Sequence, residues 1–456
     1  MSSDEINELF WLQYGDAIRR EVGVGSDDNL FFLASEAQRG PLAGNNIPDR
    51  YTHQGLYNIG NNLLSTNNVF FNPSSTHGYD QALGSFLDWV DLGDKSNPAL
   101  DAAYLDALLD QPACQISLEK QKKIASEDYK VAKELGLTDL QFHHYVATGK
   151  TPALQAAQQD VDAIRARIQQ IQIEKGGPMG PAVKQDRYRL GMGIVQDEDK
   201  LGYNMRGAFG NVLTAAELTR AYQSGENVPA PDYAYIPLYQ APDYTQFVQD
   251  AMSNAASGDY NPSYSIDVNI DTSMSTSDYD FGQTDGGANS TVNVGGWFSF
   301  SAAGSQPDEF SVLETESESS DVSIKITYDD IKAINIYLGP WGIDVTKYNL
   351  RSDAPEEVKT LAKVTQMIVV SGLGYEITVG DSTASTLDSK LQEAMNDGGV
   401  VSVFGIPVSL DGSDSTDEED KTHKASWDED SRTFTVTPNL DNNCVTVVGV
   451  VGERVT

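Results

Sequence analysis

Four groupings in this chain have residue types that invite a chemical role. His143, His144 and Tyr145 are adjacent. Neighbouring side chains on a helix point about 100° apart, so the two imidazoles do not share a metal ion there. With five histidines in the chain and no HExxH spacing, the pattern assigns no metal ligand. Thr148-Gly149-Lys150-Thr151 has the tail of a phosphate-binding loop. The first glycine such a loop needs would stand at position 144, which is His, and the preceding element reads as helix rather than strand. Ser371-Gly372-Leu373-Gly374 lacks the third glycine of a dinucleotide fingerprint and reads as a bend between apolar strands. Asp278, Asp280 and Asp285 share one loop, and Asp411, Asp414 and Asp417 another. Neither has the central glycine and closing glutamate of a calcium loop, so both read as solvated. No GxSxG elbow or Cys–His motif occurs. This reading names no catalytic residue, no metal ligand and no cofactor.

A different pattern is stronger. Between Arg220 and Lys325 there is no Lys, Arg or His, and residues 221–324 carry 16 carboxylates. Such a stretch cannot neutralise phosphates, which excludes nucleic acid and makes anionic headgroups poor partners for it. Inside it lie two alternating segments, Tyr264 to Met274 and Val292 to Ala302. Tyr264, Ile266, Val268, Ile270 and Met274 share one face of the first. Val292, Val294, Phe298 and Phe300 share one face of the second. A membrane-spanning strand needs roughly 9 to 11 residues. Two such strands joined by a polar loop are what one protomer of an oligomeric β-barrel pore contributes. The bland alternative is an amphipathic hairpin lying on a core.

The elements around these segments divide the chain. At 456 residues, with 39% apolar and 21% charged residues, it has the composition of a globular protein with more than one core. Its formal charge is −36. Residues 1–225 read as a helical domain. Ile6, Leu9, Phe10, Tyr14 and Ile18 recur at helical intervals, and Leu30 to Ala34 are expected on a second helix stopped by Gly40. Short helices are expected near Leu56 to Leu64 and from Tyr79 to Leu92, then one from Asn97 that Pro112 ends and another over about Leu118 to Leu135. Residues 178–213 read as less regular, and a helix follows at Ala215 to Ser224. The clearest helix runs from Thr151 to Lys175. Leu154, Ala157, Val161, Ile164, Ile168 and Ile171 form an a/d seam that must face another helix, most simply the preceding one.

Residues 226–260 read as a Pro- and Tyr-rich linker plus a helix at Tyr244 to Ala256. From 261 to 456 the period changes from 3.6 to 2, with strands expected at Val322–Thr327, Ile334–Leu338, Gln366–Val370, Tyr375–Val379, Val400–Phe404, Thr433–Val436 and Val445–Val451. Two helices interrupt them, near Pro355 to Val364 and Thr386 to Met395. The expected fold class is α+β: a helical N-terminal region followed by a β-rich, sandwich-like C-terminal domain with two helices. Cys114 and Cys444 are too few and too distant for a disulfide framework and fit buried thiols in a reducing compartment. The acidic N-terminus has no signal-peptide pattern, so the expected location is cytoplasmic.

From Gly295 on, GGWFSFSAAGS, ITYDDIKAINIYLGPWGIDVTKYNLRSDAPEEVK and VVSGLGYEITVG resemble filamentous-fungal proteins labelled insecticidal crystal toxin-like, over about residues 260–410. The resemblance implies a non-enzymatic toxin or defence protein, helical first and β-rich after, and carries no functional residues across. With the alternating segments, it leads to the expectation of a toxin-like protein that oligomerises and inserts a 264–302 hairpin into a membrane. The expected partners are therefore a membrane and further copies of the chain. The alternative is a cytosolic enzyme with a pocket between the helical and β-rich regions, where His143 and Tyr145 are the first suspects.

Overall fold

The computed structural model describes residues 3–24, 29–44, 47, 49–66, 69–71, 78–93, 97–134, 137, 151–194, 237–256, 260–268, 270–271, 273–275, 278–279, 281, 296–301, 311–312, 322–397, 400–410, 422–439 and 445–455. The protein is α+β. Helix α1 (Ser3–Val22) precedes strand β1 (Asn29–Arg39), helix α2 (Asp49–Gly60), strands β2 (Leu64–Ser65) and β3 (Phe70–Phe71), and α3 (Tyr79–Asp88). Then come α4 (Pro98–Glu134), α5 (Pro152–Lys175), α6 (Gly180–Ile194), β4 (Tyr239–Gln240) and α7 (Tyr244–Ala255). The remaining chain supplies β5 (Tyr264–Val268), β6 (Phe298–Ser301), β7 (Ser311–Val312), β8 (Val322–Tyr328), β9 (Asp330–Asn335) and β10 (Tyr337–Leu338). After the single-turn α8 (Glu356–Lys359) follow β11 (Leu361–Ser371), β12 (Gly374–Val379), α9 (Asp381–Asp397), β13 (Val400–Val403), β14 (Ile406–Leu410), β15 (His423–Asp428), β16 (Thr433–Pro438) and β17 (Val445–Arg454).

Among the described residues the strands form two large sheets. The first runs β2-β11-β17-β1-β3, with β9 also on β11. The second runs β5-β8-β12-β16-β15-β14-β13-β6-β7. One antiparallel ribbon joins them. Strands β9 and β11 pair from Asn335↔Gln366 to Asp330↔Ser371, and β8 and β12 continue in the same register from Thr327↔Gly374 to Val322↔Val379. The ribbon crosses from one sheet to the other at Gly372, whose φ of 61° suits glycine. A Cβ there would collide with the Asp329 carboxylate. The Ser371–Gly374 stretch is therefore a bend, as its composition suggests.

The first sheet is buried on both faces. Leu30, Phe32 and Ala34 of β1 join the core shared with α2, α3 and α7, while Phe31 and Leu33 join the core beneath the second sheet. That double burial explains why β1 is a strand where a helix is expected. A continuous apolar run has no period to read, and the central sheet position decides it. Helix α1 lies in the second core, with Leu9, Phe10, Trp11, Leu12, Tyr14 and Ile18 all buried. Helix α1 and strand β1 thus belong structurally with the sheets, and not with a separate helical region opening the chain.

Other expectations shift as well. Pro112 does not end a helix: α4 runs through it as one element. The helix expected at 56–64 is α2 at 49–60, and the irregular stretch after 178 contains α6. The helix expected over Pro355 to Val364 is the single turn α8, because Leu361 onward enters the first sheet. Strands β14 and β15 were not anticipated. Ala215 to Ser224 lies outside the described residues. Helix α5 matches its seam: Leu154, Ala157, Val161, Ile164, Ile168 and Ile171 are all buried. It packs on α4 in antiparallel sense, with Lys175 paired to Asp101 and Arg167 3.8 Å from Asp110. Thr151 holds the cap position, although its hydroxyl makes no capping bond.

Candidate functional site

The two alternating segments do not form the expected hairpin. Strand β5 pairs antiparallel with β8, from Tyr264↔Tyr328 to Val268↔Ile324. Strand β6 pairs with β13 on one side and β7 on the other. In the sheet order β5 is the end strand, and six strands separate it from β6. Alternation reports that a segment is a strand with unequal faces. It carries no information about which strand lies alongside.

The individual side chains differ accordingly. Tyr264 is 61% exposed, and its ring stacks on Tyr328 with centroids 5.7 Å apart. Ile266, Ile270 and Met274 are half-buried against the second core, and Val268 is buried within it. Phe298 and Phe300 are buried in the same core. So is the other side of that strand. Trp297 stacks on Phe10 at 4.5 Å, and Ser299 Oγ lies 3.1 Å from Ser402 Oγ. Val292 and Val294 lie outside the described residues, as do His143, Tyr145 and Cys444.

Helix α1 clasps both segments by side-chain bonds to their main chain. Gln13 Nε2 donates to Asp271 O at 2.9 Å, and its Oε1 accepts from Asp271 N at 3.1 Å. Asn7 Oδ1 accepts from Trp297 N at 2.7 Å.

A polar depression of about 490 Å³ opens where the helical layer meets the chain around 351–353. It is lined by Asp91, Asp101, Tyr104, Lys175, Arg351 and Asp353, among others. Lys175 is paired with Asp101. Arg351 forks onto Asp353 through Nε (2.9 Å) and Nη2 (2.8 Å) and lies over the rings of Trp89 and Tyr104. The fork holds the Asp353 carboxyl below its usual range. Beneath lies a buried network. Asp88 pairs with Arg187 and accepts from Gln111 Nε2 at 2.8 Å, while Gln172 Nε2 donates to Tyr104 Oη at 2.6 Å. Burial, then the nearby Asp88 charge, push the Tyr104 hydroxyl well above the ordinary range. Both cations facing the depression are thus already engaged by carboxylates. Among the described residues no group of acids, histidines and cysteines could hold a metal ion.

The third feature was not anticipated. Beyond Leu118, helix α4 packs against α5 in a small core of its own, made of Leu118, Ala125, Leu154, Ala157 and Val161. On the opposite side of α4 runs a second apolar row. Leu109 is 65%, Ile116 69%, Ile124 39% and Val131 52% exposed. Their spacing keeps them within a narrow stripe of a 3.6-residue helix. Tyr104, Ala107 and Leu108, buried in the first core, point to the α5 side, so the row faces away from the body. Lys120 and Lys123 are exposed beside Ile116 and Ile124. Residues 120–133 hold five of the chain's 31 cations. The signal was present in the sequence, but a helix boundary drawn at Pro112 cut the row in two.

No family model, curated protein or solved structure matches this chain. No described helix is long and apolar enough to cross a membrane.

Proposed function

We propose that this is a non-enzymatic, toxin-like or defence protein that acts by surface contact, with a membrane and with copies of itself, through the α4–α5 arm. The observation that carries the reading is the exposed row Leu109, Ile116, Ile124 and Val131 on a helix face turned away from the body. A helix that buries one face on its partner and shows a second apolar stripe to water has a surface suited to another phase or another protein. Insertion of a 264–302 hairpin is not part of this reading. Extracting β6 would strip Phe298 and Phe300 from the core, at about 1.5–3 kcal/mol for each ring, and break its pairing with β13.

Vesicle flotation and dye release between pH 4 and pH 10 test the proposal, because protonating carboxylates lowers the cost of approaching lipid. Flotation of the full chain that is lost in Ile116→Gln/Ile124→Gln supports it. Absence of flotation throughout that range, with a monomer in sedimentation, refutes it.

A second reading, a small-molecule enzyme, is favoured by the position and size of the depression at Lys175 and Arg351, within the range of ligand pockets. A metabolite screen by thermal shift, repeated with Arg351→Ala, separates the two.

A further inference from the structure

We infer that the depression at Lys175 and Arg351 binds a small zwitterion of the amino-acid type, its carboxylate on Arg351 and its ammonium on Asp91. The inference rests on the second reading above, that the depression takes a small molecule, and names the chemical class.

The hydrogen bonds of the lining leave one place of each sign unfilled among the described residues. Asp91, Asp101 and Asp353 face Lys175 and Arg351 there. Asp353 uses both oxygens on Nε and Nη2 of Arg351. Asp101 gives Oδ1 to Lys175, and its Oδ2 accepts from Asn97 N at 3.1 Å. Asp91 differs from both. Its Oδ1 accepts from Gly93 N at 2.9 Å, and no described cation pairs with it. On the positive side, a guanidinium offers its donors along more than one forked edge. Asp353 takes the Nε–Nη2 edge of Arg351. The Nη1–Nη2 edge has no described acceptor, and that edge holds a second carboxylate in a bidentate fork.

The fold sets these two places on one face. Val90 and Leu350 form an antiparallel bridge. Asp91 N–H donates to Asn349 O at 2.8 Å, and Arg351 N–H donates to Trp89 O at 2.9 Å. Side chains alternate across such a bridge, so Trp89, Asp91 and Arg351 share the face away from Val90 and Leu350. Asp91 and Arg351 are diagonal neighbours on it, about 7–8 Å apart at the backbone. The guanidinium leans over Trp89 (5.7 Å) and Tyr104 (5.1 Å). Lys175, with its side chain only 6% exposed, sets its ammonium 5.8 Å from the same Tyr104 ring. The floor of the depression is therefore positive, and the exposed Asp91 makes its rim negative. A molecule with both charges lies along that gradient, in a cavity of about 490 Å³. A carboxylate alone would enter against three lining acids on a chain of charge −36. An amine alone would leave the open Arg351 edge without an acceptor.

The experiment is calorimetric titration of the full chain with glycine and leucine. Isoamylamine and isocaproate serve as leucine analogues lacking the carboxylate and the amine. Both amino acids should bind saturably. Leucine should bind about tenfold or more tightly than isoamylamine, which loses the bidentate contact, and about two- to fivefold more tightly than isocaproate, which loses an exposed pair. Arg351→Lys keeps the charge but not the fork. It should weaken leucine about tenfold and leave isoamylamine unchanged. Asp91→Asn should weaken leucine and isoamylamine about two- to fivefold and spare isocaproate. A purely structural role for either residue would instead weaken all three compounds alike. Circular dichroism verifies the fold, and Asp91 is exposed, so its replacement disturbs no packing. The zwitterion assignment is overturned if neither amino acid binds, if leucine binds no more tightly than its analogues, or if its binding ignores both substitutions. In that event, an Arg351-dependent thermal shift by a compound of another class leaves the small-molecule reading standing, and no such shift across the screen overturns that reading too.

Discussion

Phe404 lies flat against Tyr14, with ring centroids 4.0 Å apart and planes 8° from parallel. The contact ties helix α1 to the turn between β13 and β14. Phe404 has φ 46° and Gly405 φ 72°, the left-handed pair of a two-residue hairpin turn that Asn-Gly usually occupies. A phenylalanine there costs about 1–3 kcal/mol of backbone strain. Its ring also meets Trp11 at 5.3 Å, Trp297 at 5.6 Å and Tyr375 at 5.7 Å, and its N–H donates to Trp297 O at 2.7 Å. Packing outweighs the turn preference. Phe404→Ala should cost about 3–5 kcal/mol in urea unfolding. Phe404→Asn should also destabilise, despite its better turn geometry. Parent-like stability of the Asn variant would contradict this account.

His423 makes stability fall towards acid. Its Nε2 donates to Leu373 O at 3.0 Å, so that nitrogen carries the proton, and Nδ1 accepts from Thr422 Oγ1 at 2.8 Å. Burial pushes the imidazole down to about 4. The unfolded chain takes up this proton near pH 6.5 and the folded chain only near pH 4. Stability from this group is therefore complete above about pH 6.5, is lost as pH falls towards 4, and is level below that. The gap amounts to about 3 kcal/mol. His423→Gln should be less stable at neutral pH but flatter across this window, as read by urea midpoints at successive pH values.

Asp88 and Arg187 form an ion pair between α3 and α6, with Asp88 buried. Arg187→Met leaves a buried carboxylate with only Gln111 as a side-chain partner and should cost about 3–5 kcal/mol. Asp88→Leu/Arg187→Met should recover much of that loss, because hydrophobic replacement removes both desolvation costs. A double-mutant cycle in thermal or urea unfolding measures the coupling, and additive single losses would show that the pair does not act as a unit.

Pro112 is exposed in the interior of α4. It lacks the N–H that would bond one turn back, so Pro112→Ala should stabilise the helix by about 1–3 kcal/mol. Hydrogen exchange should slow most in the turns flanking residue 112. Unchanged exchange would mean that the helix has already accommodated the ring.

Legibility followed periodicity. The α5 seam is visible because each apolar residue recurs at helical spacing and each is buried. Strands β8, β12 and β16 are visible because one side of each meets the core and the other is more exposed. Leu30 to Ala34 was misread because burial on both faces erases the period that distinguishes helix from strand. The α4 row was missed because Pro112 carries a strong local preference that packing along the rest of the helix overrides.

The amino-acid order by itself determined which segments are amphipathic, where positive charge is absent, and that helices precede a strand-rich half. Those properties depend on residues within a few turns of one another. Only the tertiary structure decided that α1 and β1 join the C-terminal sheets, that six strands lie between β5 and β6, and that α4 shows an apolar row to water. Strand neighbours and exposed faces are set by contacts between residues hundreds of positions apart, and local spacing holds no record of them.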